Sequence, residues 1–186
     1  IFKSLKIFRM IFSKFSKFPF NKGPSQCIPF KEAMVKYGSD KPDLRNPIVM
    51  QDLGDVFKDT TFVGFKDKVV EGFAINAGAQ PRSFYDKLQA YLIEQGAEGL
   101  AWVRVLEDGT LKGPIVKFLT EKECEDLKSA TGAKIGDDIF VVADAVAKKC
   151  YKLAGLLRTE VGEKLGLIDK SRIEFCWIVD FPMFEL

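Results

Sequence analysis

The chain has 186 residues, 47% of them hydrophobic and 29% charged, which is typical of a globular protein with one ordinary domain plus flanks or with two small domains. It contains no histidine, which excludes Ser-His-Asp and Cys-His catalysis and removes the usual zinc ligand. The net charge of +2 is uneven: residues 1–31 carry seven basic side chains and no acid, so the rest is acidic and offers no global footprint for nucleic acid.

Residues 1–27 are a basic segment rich in Phe and Lys, which we leave unassigned. Its apolar residues recur every three to four positions, which predicts one face of a helix. They are Phe2, Leu5, Phe8, Phe12 and Phe15. A basic stretch without acids resembles an organelle transit peptide. A helix without its partner, or a wrongly assigned gene start, would give the same pattern, and these alternatives stay open here.

The body begins with two predicted short helices. Residues 28–38 predict a helix with Pro29 at its start and Gly38 as a left-handed cap at its end. Pro42 then blocks any continuation, because it forces the residue before it toward extended geometry. Residues 47–58 predict the second short helix.

A pair of strands and a helix follow. Residues 61–65 and 68–79 predict two strands joined by a tight turn. Residues 81–96 predict a helix in which Ser83 and Asp86 have the spacing of a capping box. Its buried stripe is predicted to consist of Phe84, Leu88, Tyr91 and Leu92.

The second half of the body repeats the pattern of hairpin and helix. Residues 99–113 predict a hairpin that turns at Asp108-Gly109. Residues 120–132 predict a helix that opens on a capping box. Residues 137–144 predict a strand, and residues 145–166 predict a long helix with an apolar face.

These elements predict a two-layer α+β domain at about residues 60–143, with a largely antiparallel sheet and helices over one face. Residues 28–59 precede it as a flank, and residues 144–186 follow it as a long helix and a returning strand. The apolar run 175–179 is typical of a strand buried between neighbours. Both ends of the chain therefore suggest a piece of a larger protein.

Few residues in the domain suggest chemistry. Arg82, in the first turn of a predicted helix, and Lys117, in an apolar frame, are weak candidates for contact with RNA phosphate. No P-loop or pair of metal-binding carboxylates is present, so we predict no metal site. The four cysteines lack a CxxC spacing, and three of them lie in apolar or helical patterns, which favours structural thiols in a reducing cytosol. They are Cys27, Cys124, Cys150 and Cys176.

The flanks resemble a known family. "YGSDKPDLRNP" at 37–47 is similar to the segment that bacterial-type aspartyl-tRNA synthetases carry before their large insertion, and "FCWIVDFPMFE" at 175–185 is similar to the segment after it. Between them, "GAEGLAWVRV", "GPIVKFL" and "GDDIFVVAD" resemble that insertion, the GAD domain. The resemblance covers about residues 28–186, and residues 1–27 have no evident counterpart.

The resemblance implies a class II synthetase that activates aspartate with ATP and magnesium, transfers it to tRNA and forms a homodimer. It also implies that the second signature motif lies before residue 28 and the third beyond Leu186. We therefore expect this chain to hold no catalytic residue, to bind no cofactor by itself and to be inactive alone.

Two questions about the site remain open from the sequence. The charged residues of the first flank either form ion pairs that fix the entry into the insertion, or contact substrate or tRNA. They are Ser39, Asp40, Lys41, Asp43 and Arg45. The alternative to a synthetase segment is a non-catalytic, tRNA-binding GAD module, as in a subunit of glutamyl-tRNA amidotransferase, although that setting is not expected to keep both flanks.

Overall fold

The computed structural model describes residues 2–19 and 25–184, without the side chains of residues 2–6 and 9. The helices are α1 (Phe2–Phe15), α2 (Phe30–Tyr37), α3 (Arg82–Glu94), α4 (Glu121–Thr131) and α5 (Ala147–Lys164), with a short 3-10 helix at Val116–Phe118. The strands are β1 (Gln26–Pro29), β2 (Gln51–Asp52), β3 (Val69–Ile75), β4 (Ala101–Val105), β5 (Leu111–Lys112), β6 (Asp138–Asp144) and β7 (Cys176–Val179).

Five strands form one sheet in the order β2-β3-β6-β4-β5, and every neighbouring pair is antiparallel. The centre is the β3–β6 pair, which runs in continuous register from Val69 opposite Asp144 to Ile75 opposite Asp138. These strands are rich in β-branched and aromatic residues, which pack well on a pleated surface. The predicted antiparallel α+β fold is confirmed.

Two predictions ahead of the sheet are wrong. Residues 61–65 form turns instead of a strand, because the backbone carbonyl of Phe62 accepts hydrogen bonds from the amides of Phe65 and Lys66. Residues 47–58 are not a helix but contain the short edge strand β2. The buried apolar side chains of these stretches, such as Leu53, Phe57 and Phe65, pack in one cluster on the sheet, and their spacing does not follow a helix or strand period.

Helices cover both faces of the sheet, so the expectation that they lie on one face is wrong. On one face, Leu88 of α3 and Leu157 of α5 pack with Phe73 and Phe140 in one buried cluster. On the other face, Leu127 of α4 packs in a second buried cluster. Strand residues alternate between the two clusters, as a two-sided sheet requires.

The helix ends follow the predicted chemistry in two of three cases. Gly38 ends α2 in the left-handed region at φ 66°, and its amide donates to Met34. Thr120 and Glu123 form the expected capping box of α4. For α3 the capping-box prediction is wrong: Pro81 is the N-cap, and no side chain bonds there.

The buried stripes of the helices differ in detail from the predicted ones. In α3 the fully buried residues are Tyr85, Leu88 and Leu92, whereas Phe84 and Tyr91 are only partly buried. The α5 stripe is as expected from Cys150 to Val161. None of the described helices has the length and apolar character needed to cross a membrane.

The second sheet joins the two flanks. Strand β1 pairs in parallel with β7 over four residues, from Gln26 opposite Cys176 to Pro29 opposite Val179. Helix α1 reaches the same region, since the rings of Phe12 and Phe175 lie 4.9 Å apart. The five-stranded sheet thus lies within a stretch of chain that leaves β1 and returns beside it at β7.

Candidate functional site

The segment 37–48, which we call the junction loop, lies against helix α5. The approach is close: a side chain on Gly155 would place its Cβ 2.8 Å from the backbone of Tyr37 and Gly38. A Cβ on Gly162 would lie 2.3 Å from the side chain of Asn46. Two glycines of α5 therefore allow the loop to pack directly on the helix backbone.

Arg158 of α5 anchors the junction loop and is only 2% exposed. Its guanidinium donates to the backbone carbonyls of Ile48 at 2.7 Å, Asp43 at 2.9 Å and Asn46 at 3.0 Å. Asn46 returns a hydrogen bond from its side-chain amide to the carbonyl of Arg158 at 3.0 Å. Burial lowers the pKa of the Arg158 guanidinium. The three carbonyls fix the course of the loop where it enters the sheet domain.

Asp43 and Arg45 form an ion pair within the loop. The Arg45 guanidinium donates to both carboxylate oxygens of Asp43, at 2.9 and 2.8 Å. This hydrogen bonding lowers the pKa of Asp43, and the same pair raises the pKa of Arg45. The Asp43 carboxylate also accepts the backbone amide of Arg45 at 3.0 Å. The sequence had left an ion pair here as one of two alternatives.

Ser39 and Asp40 line a cleft of about 380 Å³ between the junction loop and α5, together with Lys152 and Thr159. The Ser39 hydroxyl accepts the backbone amide of Lys41 at 3.0 Å, so it also shapes the turn. The side chain of Lys41 is exposed. The five candidate residues of the loop thus have different roles: some shape a local turn, two form an ion pair, and some line a cleft. Contact of any of them with a substrate stays a prediction.

Arg82 and Lys117 do not share a site. Arg82 opens α3, its side chain is 88% exposed, and it lies 3.9 Å from Asp86. Lys117 belongs to the 3-10 helix, where its ammonium lies 4.8 Å from the ring centroid of Phe118. Phe118 stacks on Phe62, which packs against the cluster on the α4 side. The two cations therefore face opposite sides of the sheet.

Sequence reasoning missed Arg158 and Asn46. Their hydrogen bonds join positions 112 residues apart, and no local pattern reports such a contact. The sequence does show that Arg158 is a charged residue directly after Leu157, which belongs to the apolar stripe of α5. It does not show which groups Arg158 contacts.

The thiols and acids give no sign of redox or metal chemistry in the described part of the chain. Cys150 is buried, donates to the carbonyl of Val69 at 3.3 Å, and has its pKa raised to about 12 by burial. All four cysteines are free thiols. Across residues 2–19 and 25–184, no three Cys, Asp or Glu side chains come together as a metal site would require.

Residues 65–154, just under half of the chain, match the GAD domain family. Over 95% of its length the chain is 42% identical to the aspartate–tRNA(Asp/Asn) ligase of Rickettsia conorii and 41% identical to that of Rickettsia prowazekii. The ligase of the Wolbachia of Brugia malayi is 43% identical over 94% of the chain. These homologues of the chain are thus aspartate–tRNA ligases, and the chain spans about 30% of their length.

The comparisons extend the resemblance in one respect. A match over 95% of the chain is longer than residues 28–186 alone, so it includes part of residues 1–27. The expectation that this segment has no counterpart is therefore wrong for that part. The GAD match begins at residue 65 and ends at 154, inside α5, whereas the predicted domain ran from 60 to 143.

Proposed function

We propose that this chain is the GAD-containing segment of a class II aspartate–tRNA ligase. The whole protein would activate aspartate with ATP and magnesium and transfer the aspartyl group to tRNA. The observation that carries the proposal is the continuous similarity to such ligases through the GAD domain and both of its flanks. A free-standing GAD module, as in an amidotransferase subunit, is not expected to show similarity to a ligase across both flanks.

The topology supports an insertion. Strands β1 and β7 are neighbours in parallel, although about 150 residues separate them, and the GAD match at residues 65–154 lies between them in the chain. In a larger catalytic domain, β1 and β7 would belong to its sheet, and the GAD domain would project from it. The proposal also includes a cytosolic location and a whole enzyme that is a homodimer. Its tRNA substrates would be those in the relatives' name, tRNA(Asp/Asn).

The role of the segment follows from its junction. Arg158 and the two glycines bind the junction loop tightly to α5, the helix in which the GAD match ends. Such packing would hold the GAD domain in a defined orientation relative to a catalytic sheet that contains β1 and β7. We propose that the segment positions tRNA for the catalytic domain and performs no chemistry itself.

A segment exchange tests the proposal. Residues 1–186 would replace the matched part of the Rickettsia conorii ligase, and aspartylation of tRNA would be measured. We expect the chimera to retain activity, because similarity extends through the exchanged segment. A folded, dimeric chimera without activity would contradict the proposal.

The isolated chain gives a second test. Purified residues 1–186, incubated with aspartate, ATP, magnesium and labelled pyrophosphate, should show no exchange above a blank. The physical reason is that the chain contains no histidine and that the resemblance places the second and third signature motifs, which would bind ATP, outside residues 28–186. Clear exchange by the isolated chain would contradict the positioning role.

A further inference from the structure

A groove of about 740 Å³ lies between the first turns of α3 and the β4–β5 hairpin. It opens on the face of the sheet that α3 covers, and none of its lining residues belongs to the junction loop. The polar and aromatic residues that line it include Gln80, Arg82, Gln89, Trp102, Arg104 and Lys112. Neither the proposed function nor the comparisons assign this groove a role.

An ordered pair of aromatic rings contributes to the wall of the groove. Tyr85 and Trp102 stack with centroids 3.9 Å apart and planes at 15°. Tyr85 is 2% exposed, and its hydroxyl donates to the carboxylate of Asp138 at 2.7 Å. Trp102 is partly exposed and lines the groove. The indole is therefore held in place before any ligand arrives, which reduces the entropy cost of binding to it.

Three neighbouring strands place a row of charges beside these rings. In the sheet register, Arg104 of β4 lies opposite Asp138 of β6 on one side and opposite Lys112 of β5 on the other. The Arg104 guanidinium donates to both carboxylate oxygens of Asp138, at 2.7 and 2.9 Å, whereas Lys112 has no ion-pair partner among the described residues. Like charges directly opposite on adjacent strands repel each other. An anion near Arg104 and Lys112 would remove this repulsion.

The Arg104 guanidinium keeps a donor for such an anion. Its Nη2 atom also donates to the hydroxyl of Tyr85 at 2.7 Å and to the carbonyl of Gly78 at 2.6 Å. The remaining nitrogen, Nη1, donates to no atom of the described residues, and the side chain is 25% exposed. A guanidinium that is held along one edge and has a free donor on the other is suited to bind a carboxylate oxygen.

The groove has the length of a short extended peptide. Its lining on α3 runs from Arg82 to Gln89, which is about 10 Å at the rise of a helix. On the other side, alternate residues from Trp102 to Leu106 line it over about 13 Å, the span of about four extended residues. Apolar and charged side chains alternate in this lining, because Trp102 and Leu106 flank Arg104.

The charges around the groove favour a short anion over a long one. Arg82 and Lys112 are exposed at its rim, and Asp86 is an acid among the lining residues. The chain beyond residue 31 is acidic overall. A nucleic acid longer than the groove would bring phosphates within the ~10 Å over which this acidic surface repels them. A peptide with a few carboxylates would keep its charges close to the cations.

We propose that the groove binds an extended acidic segment of a partner protein. An apolar or aromatic side chain of the segment would lie against Trp102, and its carboxylates would pair with Arg104, Lys112 and Arg82. Trp and Arg are among the residues that contribute most to protein–protein binding, and here both are fixed in advance. Such binding uses the residues of the groove alone, so it does not depend on whether the whole protein is a ligase.

Nuclear magnetic resonance on the full chain locates the binding without any variant. The probe is a peptide of about ten residues, longer than the groove, with Asp-Glu-Phe-Glu-Asp at its centre. At low salt we expect saturable shifts of the indole N–H of Trp102 and of the Nε–H of Arg104. Trp177 in β7 is the internal control, and Trp177→Phe assigns the two indole signals. Shifts that fail to saturate, or that are as large at Trp177, would overturn the proposal.

Two further probes test the chemistry of the ligand. The same peptide with Asn and Gln in place of Asp and Glu should bind at least about tenfold more weakly, because it lacks the charges that complement the groove. A single-stranded RNA with the same net charge as the acidic peptide should also bind more weakly than that peptide. Equal affinity of the neutral peptide would overturn the role of charge. Equal affinity of the RNA would overturn the assignment to a protein segment.

Charge reversal at the rim tests the contacts. The double variant Arg82→Glu and Lys112→Glu should weaken binding of the acidic peptide at least about tenfold, because two attractions become repulsions. Lys58→Glu with Lys122→Glu is the matched control, since it changes the net charge equally on the α4 side of the sheet. All four side chains are exposed, so both variants should fold, as circular dichroism would check. Equal affinities of the two folded variants would overturn the proposal.

Discussion

At the scale of single residues, two buried ionisable groups have opposite environments. Arg158 is surrounded by backbone carbonyls that accept hydrogen bonds from its guanidinium. Glu71 of β3 is fully buried, and neither of its carboxylate oxygens has a hydrogen-bond partner among the described residues. A buried charge is tolerated when its hydrogen bonds are made, and is costly when they are not. The two side chains are therefore expected to affect stability with opposite sign.

Removal of the Arg158 side chain should destabilise the chain strongly. Arg158→Met is expected to lower the free energy of unfolding by about 3–5 kcal/mol, because several buried carbonyls lose their donor at once. Urea unfolding followed by circular dichroism measures the change. Arg82→Met, at a side chain that is 88% exposed, is the control and should change stability by less than about 0.5 kcal/mol. Similar midpoints for the two variants would contradict the anchoring role of Arg158.

Glu71 should make stability depend on pH. Burial, with a smaller contribution from the nearby Asp52, raises its pKa to about 8. Between pH 4.5 and 8 the unfolded chain loses this proton while the folded chain keeps it. Its contribution to stability is therefore most favourable at low pH, declines as the pH rises through this window, and is constant above it.

The isosteric variant Glu71→Gln isolates this effect, since it removes the titrating proton. The groups that face Glu71 are Asp52 on β2 with Cys150 and Tyr151 on α5, and all of them remain in the variant. The gain in stability of Glu71→Gln over the parent should increase from pH 5 to pH 8, by thermal unfolding. The exposed Glu107→Gln is the control. A difference that does not vary with pH would contradict the burial of an unpaired carboxylate.

At the scale of elements, helix α5 is the part of the fold that the junction depends on. Its buried face contacts the sheet, while Gly155 and Gly162 allow the junction loop to approach its backbone. Glycine within a helix costs roughly 1 kcal/mol relative to alanine. Alanine at these positions would improve helix propensity, so a loss of stability there would have to come from the contact with the loop.

We expect Gly155→Ala to destabilise the chain by about 1–3 kcal/mol despite its better propensity, because the new Cβ would overlap the backbone of Tyr37 and Gly38, which is unable to rotate away. Unfolding midpoints at equal denaturant slopes provide the measurement. Gly99→Ala is the matched control, since a Cβ there meets no atom within 4 Å. An increase in stability for Gly155→Ala would show that the loop does not pack closely on α5.

The elements that the sequence predicted well are those whose signals are local. The capping box at Thr120 and the Gly38 cap involve atoms a few residues apart, and both are present. Residues 61–65 were predicted as a strand because they are apolar, but Phe65 is buried by packing with Phe57 in a turn-rich segment. The hydrogen bonds of Arg158 depend on contacts between distant segments, which no local pattern specifies.

At the scale of the whole molecule, the described residues form two sheets of unequal strength. The five-stranded sheet is packed on both faces by buried clusters. The β1–β7 sheet has two strands of four residues each, and all four residues of β7 are only partly buried. A pair of short strands is marginal in water without further strands or a packed face. Its stability should therefore depend on what lies beside it.

Hydrogen exchange tests this dependence within one molecule. In the isolated chain, amides of β1 and β7 should exchange at least about a hundredfold faster than those of β3 and β6, because a weakly packed pair opens locally without global unfolding. In the Rickettsia conorii chimera the same β1 and β7 amides should become protected, since the proposed catalytic sheet would supply further strands, while β3 and β6 should change little. Equal protection of both sheets in the isolated chain would mean that they unfold as one unit, and the GAD domain would then not be an insertion with an independent core.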